Sequence, residues 1–200
     1  MNISGKTEFD NSHGPTAQTG HEQPVAGDRG YRACSTPIEV PTGALLAARG
    51  GRLRASAIGS CVVLALVDPA SGIGGLAHVM LPGEAPLRQN VQRSKYAKNG
   101  IRELAKTMTD FGARPDGLVA CIAGGGNVLE RPHDTLCEEN IHSVVHTLAG
   151  LGIALLAQDV GGVLRRSLTF DIDTGEVILT VGDGGPALLW HFNFHDPKRG

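Results

Sequence analysis

The sequence has few aromatics. Two Tyr, five Phe and one Trp make up 4% of its 200 residues, too few for the base-stacking platforms of single-strand nucleic acid binders. It also lacks an excess of charge: eighteen Lys and Arg stand against twenty Asp and Glu, a formal net charge of −2. With no Lys/Arg run or basic stripe, no nucleic acid partner is expected. Long apolar runs are missing as well. None approaches the ~20 residues that a membrane-spanning helix needs, so no membrane insertion is expected, and the opening "MNISGKTEFDNSHG" has no apolar segment of the kind found in a secretory leader. Cys34, Cys61, Cys121 and Cys137 form no CxxC pair and no zinc-ribbon spacing. Free thiols in a reducing cytoplasm are the simplest reading. What remains is ordinary globular composition, 41% hydrophobic and 19% charged, enough for a core.

Residues 1–35 are rich in Gly, Ser, Thr, Asn, Gln and charge and show no apolar period, so this segment reads as a disordered tail. Regular patterning begins near Pro37 and defines one domain over 36–190, with 191–200 expected to be a loose C-terminal tail. "IEVPTGALLAA" supplies short extended pieces, and "RLRASAI" alternates like a half-buried strand. "CVVLALV" and "IGGLAHVML" read as strands joined by the turn at Asp68-Pro69 and Ser71-Gly72. A helix is predicted over 94–110 with Ser94 as its N-cap. A second is predicted in "TLCEENIHSVVHTLAGLG", ended by glycine. "GLVACIAG" and "IALLAQDV" read as strands. Residues 164–181 read as a hairpin turning at Asp173-Thr174-Gly175. Many strands and two helices predict an α+β fold of layered, mixed or antiparallel sheets flanked by helices. The short turn between 61–67 and 73–80 makes that pair antiparallel and excludes a purely parallel sheet.

The stretch "SAIGSCVVLALVDPASGIGGLAHVMLP" carries the chemistry. Cys61 starts an apolar strand directly after Gly59 and Ser60, where a thiol is reachable at a strand end. Backbone N–H groups of Gly59, Ser60 and Cys61 freed by the turn would form an oxyanion hole. His78 follows seventeen residues later on the next strand. A hairpin centred near 69–71 puts Cys61 opposite a residue near 78, with both side chains on one face. An imidazole beside a thiol is expected to lower the thiol pKa and give a thiolate–imidazolium pair. Two other constellations carry less. His142 and His146 share a helix face, but "HSVVH" lacks the Glu of HExxH, so no metal site is assigned. "GGGN" at 124–127 is not followed by GK[ST] and reads as a close-approach turn rather than a phosphate cradle.

"IGSCVVLALVDP" followed by "GIGGLAHVMLP" resembles the signature of the CheD family, the chemoreceptor glutamine deamidases, whose "LGSCV" strand bears a nucleophilic Cys and whose "GGMAH.MLP" strand bears a catalytic His. "AGGGNVL" at 123–129 is similar to the family's "FGGANMF". "LCEENI" at 136–141 is similar to its "IGERNI". "QDVGGVLRRSLTFDIDTGEVIL" at 158–179 is similar to its "EDLGGNHGRKVLFDTATGEVLV". The resemblance spans about 37–182. It implies a CheD-like cysteine hydrolase fold and hydrolysis of glutamine side-chain amides on methyl-accepting chemotaxis receptors, without cofactor. The implied partners are those receptors and a CheC-family phosphatase.

The family's catalytic Thr lies five or six positions before the Cys, where this chain has Ser56 and Ala55. Ser56 is taken as the stand-in, and the resemblance places Asn127 in the active-site floor. Cys137 and Glu139 replace the Gly and Arg of "IGERN". Arg165 and Ser167 replace the Gly and Lys of "GRK", while Arg166 remains. A non-catalytic adaptor that binds receptors or a phosphatase is the alternative reading, favoured by the missing Thr. Acyl transfer to an amine in place of water is a third.

Overall fold

The computed structural model describes residues 36–88 and 90–194. The expected N-terminal tail, Cys34 within it, and residues 195–200 lie outside the described residues. Ten strands and two helices follow one another as β1 Ile38–Glu39, β2 Leu45–Ala48, β3 Arg52–Ile58, β4 Val62–Asp68, β5 Ile73–Val79, α1 Ala97–Asp110, β6 Val119–Gly124, α2 Leu136–Gly150, β7 Ala154–Val160, β8 Arg166–Asp171, β9 Glu176–Val181 and β10 Ala187–His191.

The strands form two five-stranded sheets, β1-β3-β8-β9-β10 and β2-β5-β4-β6-β7. Only β1–β3 and β6–β7 pair in parallel. The second sheet is the centre of the molecule. Every residue of β4 and of β5 is buried, which is why "VVLALVD" carries no polar alternation. One face of this sheet, through Val62, Leu64, Leu66 and Ala77, packs on Ile101, Leu104 and Met108 of α1 and on Val144 and Leu148 of α2. The other face, through Val63, Ala65, Val67 and Leu76, packs on Leu53, Ile58, Leu168 and Phe170 of the first sheet. The layers therefore run sheet, sheet, helices. Fully burying each Val or Leu of β4 is worth roughly 1.5–3 kcal/mol, so this double burial anchors both layers on one strand.

Two local expectations fail for physical reasons. The first helix begins at Ala97 behind Tyr96, and Ser94 does not cap it: its hydroxyl donates to the Gly43 carbonyl at 2.7 Å. Gly100 is required by proximity, because a Cβ there would lie 2.5 Å from the Ser94 carbonyl oxygen. The expected boundary at 190 also falls short. Residues 187–191 form the edge strand β10, paired with β9. Beyond it Phe192 is buried, donates its N–H to Gly175 O at 2.8 Å, and stacks edge-on against Phe170 with ring centroids 5.7 Å apart. The ordered domain thus runs past Trp190.

Candidate active site

The β4–β5 hairpin has the predicted direction but a different register. Its turn uses four residues, Pro69 to Gly72, closed by the Gly72 N–H on Asp68 O at 3.0 Å. The ladder therefore runs from Asp68↔Ile73 to Val62↔Val79, and His78 lies opposite Val63. Cys61 sits one step outside β4. By alternation it shares the face of Val63 and His78, and it packs into the cluster between the sheets. Thiol and imidazole are thus diagonal neighbours on one face, a relation that leaves Cβ atoms roughly 7 Å apart. The expected direct opposition is shifted by two residues, and no hydrogen bond joins the pair among the described residues.

His78 is almost wholly buried. Its Nδ1 lies 3.3 Å from Val40 O. A carbonyl only accepts, so Nδ1 carries the proton and Nε2 holds the free lone pair. That Nε2 is buried and has no hydrogen-bond partner. Burial pushes the imidazole below its ordinary value of 6.5, against the opposing pull of the Val40 carbonyl and of Glu39. Burial likewise pushes the Cys61 thiol up, with its own N–H opposing and Cys137 adding to the rise. Desolvation of both groups between the sheets opposes the expected thiolate–imidazolium pair and favours the neutral thiol and imidazole.

The loop before β4 has a consistent polarity. The Gly59 carbonyl accepts from Gly126 N at 2.8 Å, and the Cys61 carbonyl from Gly125 N at 2.7 Å. The Ser60 carbonyl accepts from Asn140 Nδ2 at 2.9 Å. All three carbonyls are held, while the N–H groups of Gly59, Ser60 and Cys61 donate to no other residue among the described contacts. Gly124 makes the approach possible: a Cβ there would fall 2.2 Å from the Cys61 carbonyl oxygen, and its φ is +123°. "GGGN" is thus a close-approach turn whose amides brace the cysteine loop.

The remaining sequence-derived positions have other hydrogen-bond partners. Ser56 accepts from Arg54 Nε at 3.0 Å and donates its hydroxyl to Glu39 Oε2 at 3.2 Å, while its N–H reaches Oε1 at 2.8 Å. It belongs to the outer face of β3. Of the two positions considered for the family's Thr, the inward one is Ala55, fully buried in the inter-sheet cluster and without a hydroxyl. Next to them the chain bulges between Ala55 and Ile58, with Ala57 at φ 54°, a left-handed conformation unusual for a residue with a Cβ. Asn127 spends both ends of its amide on Arg131, accepting from its N–H at 3.0 Å and donating to its carbonyl at 2.9 Å. It builds the loop 127–131. Arg166, buried at the start of β8, ties to Asp159 of β7 at 2.7 Å and to Leu164 O at 3.1 Å.

The residue that sequence reasoning passed over is Asn140. It stands on the buried stripe of α2 with Cys137, Val144 and Thr147. A fully polar side chain at an apolar-face position was the available signal. Among the described residues no cluster of His, Cys, Asp and Glu is arranged to hold a metal, and no helix is long and apolar enough to cross a membrane.

The family model for CheD chemotactic sensory transduction matches residues 80–181, starting two residues after His78 and covering the bracing 124–127 turn, α2 and the β8–β9 hairpin. Similarity to individual proteins extends further. A probable chemoreceptor glutamine deamidase CheD of Chlorobium luteolum is 34% identical over 84% of this chain and 84% of its own length. Its counterpart in Moorella thermoacetica is 38% identical over 66% of this chain and 83% of its own length. The chemoreceptor glutamine deamidase CheD of Thermotoga maritima is 34% identical over 66% and 82% respectively. The cysteine loop braced by "GGGN" and α2 is thus the setting of a shared sequence pattern, and the chain belongs to the CheD family.

Proposed function

We propose that the protein is a chemoreceptor glutamine deamidase, hydrolysing glutamine side-chain amides of methyl-accepting chemotaxis receptors to glutamate with release of ammonia. The observation that carries this reading is the pairing, on one sheet face, of the Cys61 thiol with a His78 whose Nε2 is unpartnered and whose Nδ1–H is held by Val40 O. Family membership and the printed names of the relatives support the substrate class.

The chemistry begins from the neutral pair. Nε2 of His78 takes the thiol proton as Cys61 Sγ attacks the amide carbon. The oxyanion meets the N–H groups of Gly59, Ser60 and Cys61. The imidazolium returns its proton to the leaving nitrogen, ammonia departs, and a thioester remains on Cys61. His78 then draws a proton from water, whose oxygen attacks the thioester carbon. Glutamate leaves, and the proton returns to the thiol. Ser56 acts at a distance in this scheme: it fixes Glu39, whose neighbour Val40 supplies the carbonyl that orients His78. The reaction runs in the cytoplasm, where receptor signalling domains lie, and a CheC-family phosphatase is the proposed protein partner.

The absence of a hydroxyl at the inward position Ala55 favours one second reading, an adaptor that binds receptors without turnover. Intact-mass analysis of a receptor cytoplasmic fragment incubated with the protein separates the two. Wild-type protein is expected to convert amides to acids and Cys61→Ala to convert none. Unchanged receptor mass with both proteins would overturn the deamidase reading.

A further inference from the structure

We infer that Asn140 is a positioning residue for the oxyanion hole, an assignment that rests on the cysteine-hydrolase reading of the same loop. Asn140 is fully buried on α2. Its Nδ2 donates to Ser60 O at 2.9 Å and to Met80 O at 3.1 Å. Both partners are carbonyls, which only accept, so the amide orientation is forced and both N–H groups of the side chain are used. One side chain therefore joins the residue before the nucleophile to the second residue after His78. It bridges the two strand ends where the reaction takes place.

The consequence lies in the peptide unit between Ser60 and Cys61. A trans peptide is planar, with C=O and N–H pointing in opposite directions. Holding the Ser60 carbonyl on Asn140 aims the Cys61 N–H the other way, away from the Asn140 side chain. The Gly126 N–H does the same for the preceding unit by holding the Gly59 carbonyl, which aims the Ser60 N–H. The difference is that Gly126 acts through backbone, whereas the donor to Ser60 is a side chain and can be removed by mutation. An amide rotated away would take the side-chain donor from both Ser60 O and Met80 O at once. Asn140 touches neither substrate nor reacting atoms. It acts through the Cys61 N–H.

The test compares two reactions of the same thiol by mapping the Cys61 peptide in the full-length protein. Acetylation by p-nitrophenyl acetate passes through a tetrahedral oxyanion; alkylation by iodoacetamide, a displacement at a saturated carbon, forms none. Asn140→Ala is expected to slow acetylation of Cys61 by about 100-fold or more, the effect of losing one oxyanion donor, and to leave alkylation within about two-fold. Asn140→Asp has nearly the same shape and loses the same two donors, so it gives the same split and decides the matter if the alanine variant unfolds. With receptor fragment as substrate, kcat falls and KM holds. Acetylation and alkylation falling together, acetylation undiminished, or a wild-type Cys61 that alkylates without acetylating would each overturn the assignment. A wild-type protein that shows the split but leaves receptor glutamines intact would overturn the glutamine reading alone.

Discussion

The two sides of the inter-sheet layer at Cys61 and His78 are built differently. At the nucleophile edge, residues 59–61 are held by three donors from two separate elements, the 124–127 turn and α2. At the facing edge, β1 is two residues long and is joined to Ser56 by one exposed carboxylate, Glu39. The Cys61 edge fixes the carbonyls of Gly59, Ser60 and Cys61, as the proposed oxyanion hole requires. The facing edge contributes one carbonyl, Val40 O, and fixes one imidazole tautomer. In the proposed mechanism precision is concentrated where charge would develop, and the facing edge would set the state of the base.

The largest effect is expected from breaking the braced edge. Gly124→Val would place carbon atoms against the Cys61 carbonyl and against Ile58 Cγ2, 2.7 Å from the new Cβ, at a φ that L residues avoid. Overpacking and backbone strain together should cost roughly 3 kcal/mol or more, read as a lowered urea midpoint. A midpoint within error of wild type would mean the close approach is not needed.

The facing edge predicts a pH effect. Because the folded imidazole of His78 lies below its ordinary value of 6.5, the unfolded chain binds that proton more readily. The stability contributed by neutral His78 is whole above 6.5 and is lost as pH falls through the folded value. Unfolding free energy should therefore decline on acidification in this window, and His78→Gln should flatten the decline. An unchanged slope in His78→Gln would place the acid sensitivity elsewhere.

Much of this comparison was readable before the fold was known, and the parts that were not have identifiable causes. β3 was read at its observed limits, and the turn at 173–175 joins β8 to β9 as expected, because alternation and turn chemistry are local. The Cys61–His78 juxtaposition was read with the wrong register, since turn length rather than strand pattern sets which residues oppose. The role of Asn140 and the burial of the pair are not legible in the sequence. Both depend on which faces the second sheet and α2 cover, a property of tertiary packing. Ser56 and Ala55 are neighbours in sequence on opposite faces of one strand, and only the bulge at Ala57 and the inter-sheet packing show which one turns inward. β10 was missed because its mostly exposed residues show no alternation.

The smallest effect belongs to Ser56. Its hydroxyl serves an exposed carboxylate, so Ser56→Ala should change stability by less than about 1 kcal/mol and kcat by no more than the slight loosening of Val40 allows. A large loss of kcat at unchanged KM would return Ser56 to the reacting centre.

In the proposed mechanism burial keeps Cys61 and His78 neutral until substrate arrives, and His78 acts as a general base rather than as half of a standing ion pair. The pH dependence of Cys61 labelling tests it most directly. Brief iodoacetamide pulses across a pH series, followed by mapping of the Cys61 peptide, report the thiolate fraction at each pH. A neutral pair gives slow labelling at about pH 6 that keeps rising with pH beyond the ordinary thiol value of 9.0. Fast labelling already at its plateau near pH 6, abolished by His78→Ala, would establish the ion pair and contradict it.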